Sequence, residues 1–241
     1  MKKLFFLALM CAMTLGTTAQ AAFVSYDEAF MDSIFGQTIF KEYWPADGDF
    51  SIDIRFNPTI ELVAPDLLTI NSTNDLYSLW NNHSGGVKTV NAFFVDSLRA
   101  CGGTIHDYGG CGEVGGNDLV VDSLSQSYNP VLLAHELGHN LNMTHSVAVS
   151  GDLMYSGYID SDTTTISQAT FQGELEFIYP YPASDPVDPN GILQGSFADG
   201  FFVEITPVLV VTAVPVPPSF LLLMSGLGVG VLITRRRKTN S

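Results

Sequence analysis

The run His135-Glu136-Leu137-Gly138-His139-Asn140-Leu141-Asn142-Met143-Thr144-His145 decides how this chain is read. His135 and His139 are four apart, so a helix presents both imidazoles on one face. Each neutral ring can offer a nitrogen to a zinc ion at about 2.0–2.1 Å. Glu136 follows the first histidine, where its carboxylate can reach a metal-bound water without itself binding metal. His145 comes six residues after His139, and an unbroken helix would swing it off that face. The chain must therefore turn between them, and Asn142 stands where the turn is needed, since Asn tolerates positive φ better than other non-glycine residues. Three neutral histidines leave a fourth tetrahedral position for water, which marks a catalytic rather than a structural site. The chain has five histidines. Three of them fall here at metal spacing with Glu136 in the base position, which chance placement explains poorly. His83 and His106 show no such spacing and read as ordinary loop histidines.

Working outward, Asn129-Pro130 opens the helix that delivers this run, with Asn129 as cap and Pro130 in the first turn. Phe50 to Phe56 alternates apolar and polar residues, the pattern of a half-buried strand. Leu67 to Ile70 suggests another strand, and Ser72 to Trp80 a helix with Ser72 or Thr73 as its cap. Lys88 to Val95 is rich in β-branched and aromatic residues and reads as a central strand. Cys101 to Gly116 contains seven glycines and reads as a loop. Asp118 to Asp122 is expected to be a short strand, and Thr165 to Phe177 a last helix. Strands followed by longer helices predict an α+β domain.

Composition narrows the function. Of 241 residues, 46% are hydrophobic and 15% charged, so the chain can bury a core. The formal net charge is −15, from 10 Lys and Arg against 25 Asp and Glu. Six of the bases lie at the two ends: Lys2, Lys3, Arg235, Arg236, Arg237 and Lys238. The middle keeps four bases (Lys41, Arg55, Lys88, Arg99) against all 25 acids, a net of −21. Such a surface repels phosphate backbones, which excludes nucleic acid as a partner. It suits a secreted protein and could hold Ca2+, although no loop has dedicated calcium spacing.

Both ends read as addresses. Residues 1–21 form an expected signal peptide: a Lys2-Lys3 n-region, an apolar Leu4 to Leu15, and Ala19-Gln20-Ala21 at the cleavage position. Removing it leaves Cys101 and Cys111, an even pair expected to form a disulfide that pins a surface excursion. At the other end, Val214-Pro215-Val216-Pro217-Pro218 precedes an uncharged apolar Phe220 to Ile233 and then Arg235 to Lys238. This arrangement resembles the PEP-CTERM sorting signal, although Val216 stands where that signature usually has Glu. The resemblance implies an exosortase-like sorting enzyme as a partner and contact with the membrane through the C-terminal segment. The basic cluster then faces the cytoplasm. The expected localisation is export across the inner membrane of a bacterium, to the cell envelope, cell surface or extracellular matrix. The domain reading is 1–21 signal peptide, 22–49 N-terminal segment (a pro-segment or part of the domain), 50–179 catalytic domain, 180–213 linker, proline- and aspartate-rich over Pro180 to Pro189, and 214–241 sorting signal or anchor.

The histidine run resembles the metzincin motif H-E-x-x-H-x-x-G-x-x-H, with Asn142 where Gly is usual, as in some adamalysin-like members. Metzincins carry a methionine turn beyond the motif; Met154 in Asp152-Leu153-Met154-Tyr155 would be its methionine, a hydrophobic floor under the metal histidines. The resemblance implies a zincin domain with a twisted mixed sheet, an antiparallel edge strand, an active-site helix and a C-terminal helix. It also implies a peptide or protein substrate lying beside an edge strand, for which Gly116, Asn117, Asp118, Leu119, Val120, Val121 and Asp122 are the candidates. The expected activity is that of a zinc endopeptidase, with His135, His139 and His145 as metal ligands and Glu136 as general base. The alternative is a catalytically inactive metzincin-like protein kept for surface or matrix binding.

Overall fold

The computed structural model describes residues 27–36, 51–122, 130–145, 152–155, 192–196 and 199–212. All of these but the last residue belong to one compact unit spanning 22–211. In chain order the elements are α1 (Glu28–Phe35), β1 (Ile52–Phe56), β2 (Ile60–Val63), a 3-10 turn (Pro65–Leu67), β3 (Thr69–Ile70), α2 (Thr73–Trp80), β4 (Thr89–Val95), β5 (Ser97–Cys101), β6 (Thr104–Tyr108), β7 (Gly110–Gly112), β8 (Asp118–Asp122), α3 (Pro130–Asn140), β9 (Gln194–Ser196) and β10 (Gly200–Val211). The architecture is mixed α+β.

The main sheet runs β1-β10-β4-β8-β7, with β2 and β9 also pairing with β10. β10 is parallel to β1, β2 and β4, and β4 is parallel to β8. β7 is antiparallel to β8 and β9 to β10. The β4 segment is buried at every position, as expected of a central strand. Its side chains alternate between two cores with the two-residue period of a strand. Val90, Ala92 and Phe94 join α1 and α3 in one cluster, while Phe93 and Val95 join α2 and β5 in the other. The sheet is thus the middle layer: α1 and α3 cover one face, and α2 with a small β3-β5-β6 sheet covers the other. Ser72 caps α2, its side chain accepting from Asp75 N–H at 3.2 Å.

Four expectations are corrected. Residues 180–213 are not simply a linker: β10 lies at the heart of the sheet, with Phe201, Val203 and Ile205 buried on one face and Val208 and Val210 on the other. Pro207 is tolerated there because the neighbouring strand changes at that point. β1 pairs up to Ile205 and β2 begins opposite Val208. The Ile205 carbonyl accepts from Asn57 N–H on that side, and by the period of two the missing N–H of Pro207 faces the same gap. Secondly, the bound drawn at residue 50 moves: within 22–49, left open between pro-segment and domain, α1 packs into the fold. Met31, Ile34 and Phe35 of α1 are fully buried in the core shared with α3. Two α1 carboxylates also satisfy the outer edge of β1, Asp32 accepting from Ile54 N–H at 2.7 Å and Glu28 from Phe56 N–H at 3.1 Å. Thirdly, the glycine-rich stretch 101–116 holds two strands, β6 and β7, so His106 is on a strand rather than in a loop. Lastly, β8 is internal to the sheet, as described below.

Asn129, the expected helix over Thr165 to Phe177 and both expected address segments lie outside the described residues. Among the described residues no helix is long and apolar enough to cross a membrane.

Candidate metal centre

Helix α3 is buried from Leu133 through Asn140, so its polar residues sit inside the fold and need partners there. His135 is 3% exposed and His139 6%. The Nδ1 of His135 bonds the Leu153 carbonyl at 2.5 Å, and that of His139 bonds the Met143 carbonyl at 2.7 Å. A carbonyl oxygen can only accept, so each Nδ1 carries the proton and each Nε2 presents a lone pair. Asn142 adopts φ 70°, the sole positive value at a non-glycine residue among those described. The chain turns there and brings back His145, whose Nε2 lies 3.2 Å from the Nε2 of both His135 and His139.

These three nitrogens are arranged for a cation. Ligand nitrogens at about 2.0–2.1 Å from a tetrahedral zinc stand about 3.3–3.4 Å apart, close to the 3.2 Å that separates the His145 Nε2 from each of the other two, and all three lie within 4.8 Å of one another. The two helical Nε2 atoms have no proton to share, so the His145 Nε2–H could satisfy one of them and never both. Burial lowers both helical histidines to about pKa 4 and lowers His145 as well, which keeps all three rings neutral and competent as ligands at neutral pH. The donor set therefore fits zinc, with the side chains of His135, His139 and His145 placed to bind it.

Met154 is fully buried, and its sulfur lies under Gly138 so closely that any side chain at 138 would collide with it. Its turn is built by Asp152, which is 2% exposed and accepts from Met154 N–H at 2.9 Å. The Tyr155 N–H donates to the Asp152 carbonyl at 3.0 Å. That turn aims the Leu153 carbonyl at His135. Met154 thus lies beneath the helix that carries His135 and His139.

Glu136 is 4% exposed. Burial pushes its carboxyl up to about pKa 8, while a hydrogen bond from the backbone N–H of Gly112 favours the ionised form. Gly112 belongs to β7, the outermost strand of the sheet. Here the structure corrects the sequence reading of residues 116–122. Asp118 to Asp122 pairs with β4 on one side and β7 on the other, and Asp118, Leu119, Val120 and Val121 are buried. Gly116 and Asn117 lie in the turn leading to it. The edge strand is β7, tied to β5 by the Cys101–Cys111 disulfide. The bridge therefore joins the two sheets rather than pinning an excursion.

Sequence reasoning missed Gly110, Gly112, Gly138 and Asp152, whose roles depend on contacts between distant segments. A glycine inside the histidine helix was the available signal, because glycine is unfavourable there unless close packing demands it. Asn140 was also missed: its side-chain amide donates to the carbonyls of Asp118 at 2.9 Å and Glu113 at 3.1 Å, tying the helix end to the β8 approach. His83 is no free loop residue. Its Nδ1 stands 2.8 Å from Asp118 Oδ1, within a network including Asn91 and Asn117. Burial raises the Asp118 carboxyl, and the bond to His83 opposes that rise.

No protein-family model and no solved structure matches the chain. A stretch of 58 residues is 43% identical to an interstitial collagenase of Sus scrofa. The match covers 24% of this chain and 12% of the collagenase, so the chain spans a small part of that relative's length.

Proposed function

We propose that the chain is a zinc-dependent endopeptidase. The convergence of three Nε2 atoms, with Glu136 beside the first ligand, carries this reading, and the local similarity to a collagenase supports it. Zinc, when bound, supplies an acidified water and a positive charge for the carbonyl of the scissile bond. The chain's own residues do the rest. The Leu153 and Met143 carbonyls hold the His135 and His139 rings in the ligating tautomer. The Glu136 carboxylate takes the proton from the attacking water and returns it to the leaving nitrogen. Burial favours its neutral form in the metal-free chain, whereas a cation held by the three histidines would favour the carboxylate, and the Gly112 amide favours it too and keeps it aimed. The peptide lies along the outer edge of β7, which has no strand beyond it among the described residues, and adds as a strand through the edge groups other than the Gly112 N–H, which Glu136 takes. The substrate is a peptide or protein, cut outside the cytoplasm; export by residues 1–21 and sorting by an exosortase-like enzyme acting on 214–241 belong to this proposal.

The test is a casein or gelatin digest by the purified zinc-loaded protein, with and without chelator, beside Glu136→Ala. Cleavage should require zinc and should fall by at least about 10³-fold in the variant, which should still bind one zinc per chain. Full cleavage by Glu136→Ala overturns the assignment of the base. Zinc binding without any cleavage by the native protein points instead to the surface-binding alternative. Mass spectrometry of the mature termini checks the export and sorting part.

A further inference from the structure

Glu136 is seated by a strand outside its own helix. Gly110 and Gly112 flank Cys111 on β7, and the period of two turns both glycines to the α3 face. Cys111 points the other way, into the second core and its bridge to Cys101. A methyl group at Gly110 would stand 2.7 Å from Cγ and 2.8 Å from Cδ of Glu136, and closer still to Oε1. The whole side chain beyond Cβ would have to move, and a residue this buried has little room to do so. Gly110 is not among the positive-φ glycines, so its backbone suits any residue. Space, not conformation, requires glycine there. Gly112 contributes differently: its N–H holds the carboxylate, and a methyl group on it would meet the Glu136 carbonyl oxygen at 2.5 Å and His139 Cβ at 2.9 Å.

We propose that Gly110 is a positioning residue for Glu136, vacating the volume that the carboxylate occupies while the Gly112 amide fixes its direction. The bridge to Cys101 anchors the short strand that carries both. The kinetic consequence rests on the peptidase reading; the packing consequence does not, so the test has two arms.

The first arm is a double-mutant cycle on thermal unfolding of the metal-free protein. Gly110→Ala should lower the midpoint by roughly 4–10 °C when Glu136 is present. It should have almost no effect in the Glu136→Ala background, where the three atoms nearest the new methyl group are gone. Equal drops in both backgrounds overturn the seat. If Gly110→Ala alone fails to fold, folding of the double variant supports the proposal and failure of the double variant overturns it.

The second arm is kinetic. Gly110→Ala should cut kcat roughly 10²-fold, since a displacement of about an ångström costs that much, with KM and zinc content unchanged. A raised KM with unchanged kcat overturns the positioning role. Coupling in the first arm together with a native protein that cleaves nothing upholds the seat and removes the peptidase reading, so the two failures are told apart.

Discussion

The site's geometry hangs on one dihedral, at Asn142. The α3 helix ends at Asn140, one residue after His139, and only a left-handed residue sends the chain back so that His145 meets the other two rings. Asn pays less for that conformation than a branched residue, and glycine pays nothing. Asn142→Gly should therefore keep both stability and zinc affinity. Asn142→Val should lose about 1–2 kcal/mol of stability and bind zinc more weakly, because His145 no longer returns to the cluster. Urea unfolding and a zinc titration check both. This position was legible in the sequence, since the spacing of His139 and His145 demands a turn and Asn142 is the residue suited to make it. Asp152 was not. Its role depends on a carbonyl 18 residues beyond His135 being aimed at that ring, and no local pattern marks such a contact.

At the scale of elements, α1 is both a lid on the core and a cap on a sheet edge. Its carboxylates take the outward N–H groups of β1, which would otherwise form an open edge. Burial, with Asp53 and Glu28 nearby, raises the Asp32 carboxyl despite its bond to Ile54. The sequence left residues 22–49 open between pro-segment and domain, because eight residues of amphipathic helix look alike in either. Packing separates the two. Phe35 is fully buried with Met31 and Ile34, so Phe35→Ala should cost about 3–5 kcal/mol in the denaturant unfolding of the mature protein. A removable segment would lose almost nothing. The strands with a clean pattern, β1, β4 and β8, were legible, although the pattern of β8 did not say that β7 would cover its far side. β7 itself, Gly-Cys-Gly, has no pattern to read. It exists as a strand because β8 offers it an edge and the disulfide holds it there.

For the whole molecule, the buried site sets a pH dependence with opposing parts. His135 and His139 titrate near 4 when folded, against 6.5 for the free side chain. The unfolded chain thus binds protons between those values while the folded one does not, and stability falls as pH drops through that window. Glu136 titrates near 8 folded, against 4.5. There the folded chain keeps a proton the unfolded one has lost, so stability falls as pH rises from 4.5 to 8. His145, lowered as well, adds to the histidine side below 6.5, the raised Asp32 and Asp118 act against it at the acid end of that range, and Glu136 dominates above 6.5. The metal-free protein should therefore be most stable near pH 6.5, with unfolding midpoints lower at pH 5 and at pH 8; a midpoint rising steadily to pH 8 contradicts a buried, neutral Glu136. The least legible part of the fold was also global. The run Gly200 to Val211 alternates like a strand, but its Pro207 argues against a central position, and only the change of neighbour from β1 to β2 makes room for it.

That late strand has a bearing on timing. β1, β2 and β4 are made long before residues 200–211, yet they can meet only through them. As the polypeptide emerges, its histidine helix arrives ahead of the piece that closes the layer beneath it, and contacts so far apart in sequence form slowly. An incomplete chain would thus hold the three rings without the frame that brings them together, and the histidine cluster would form only after the final stretch had followed.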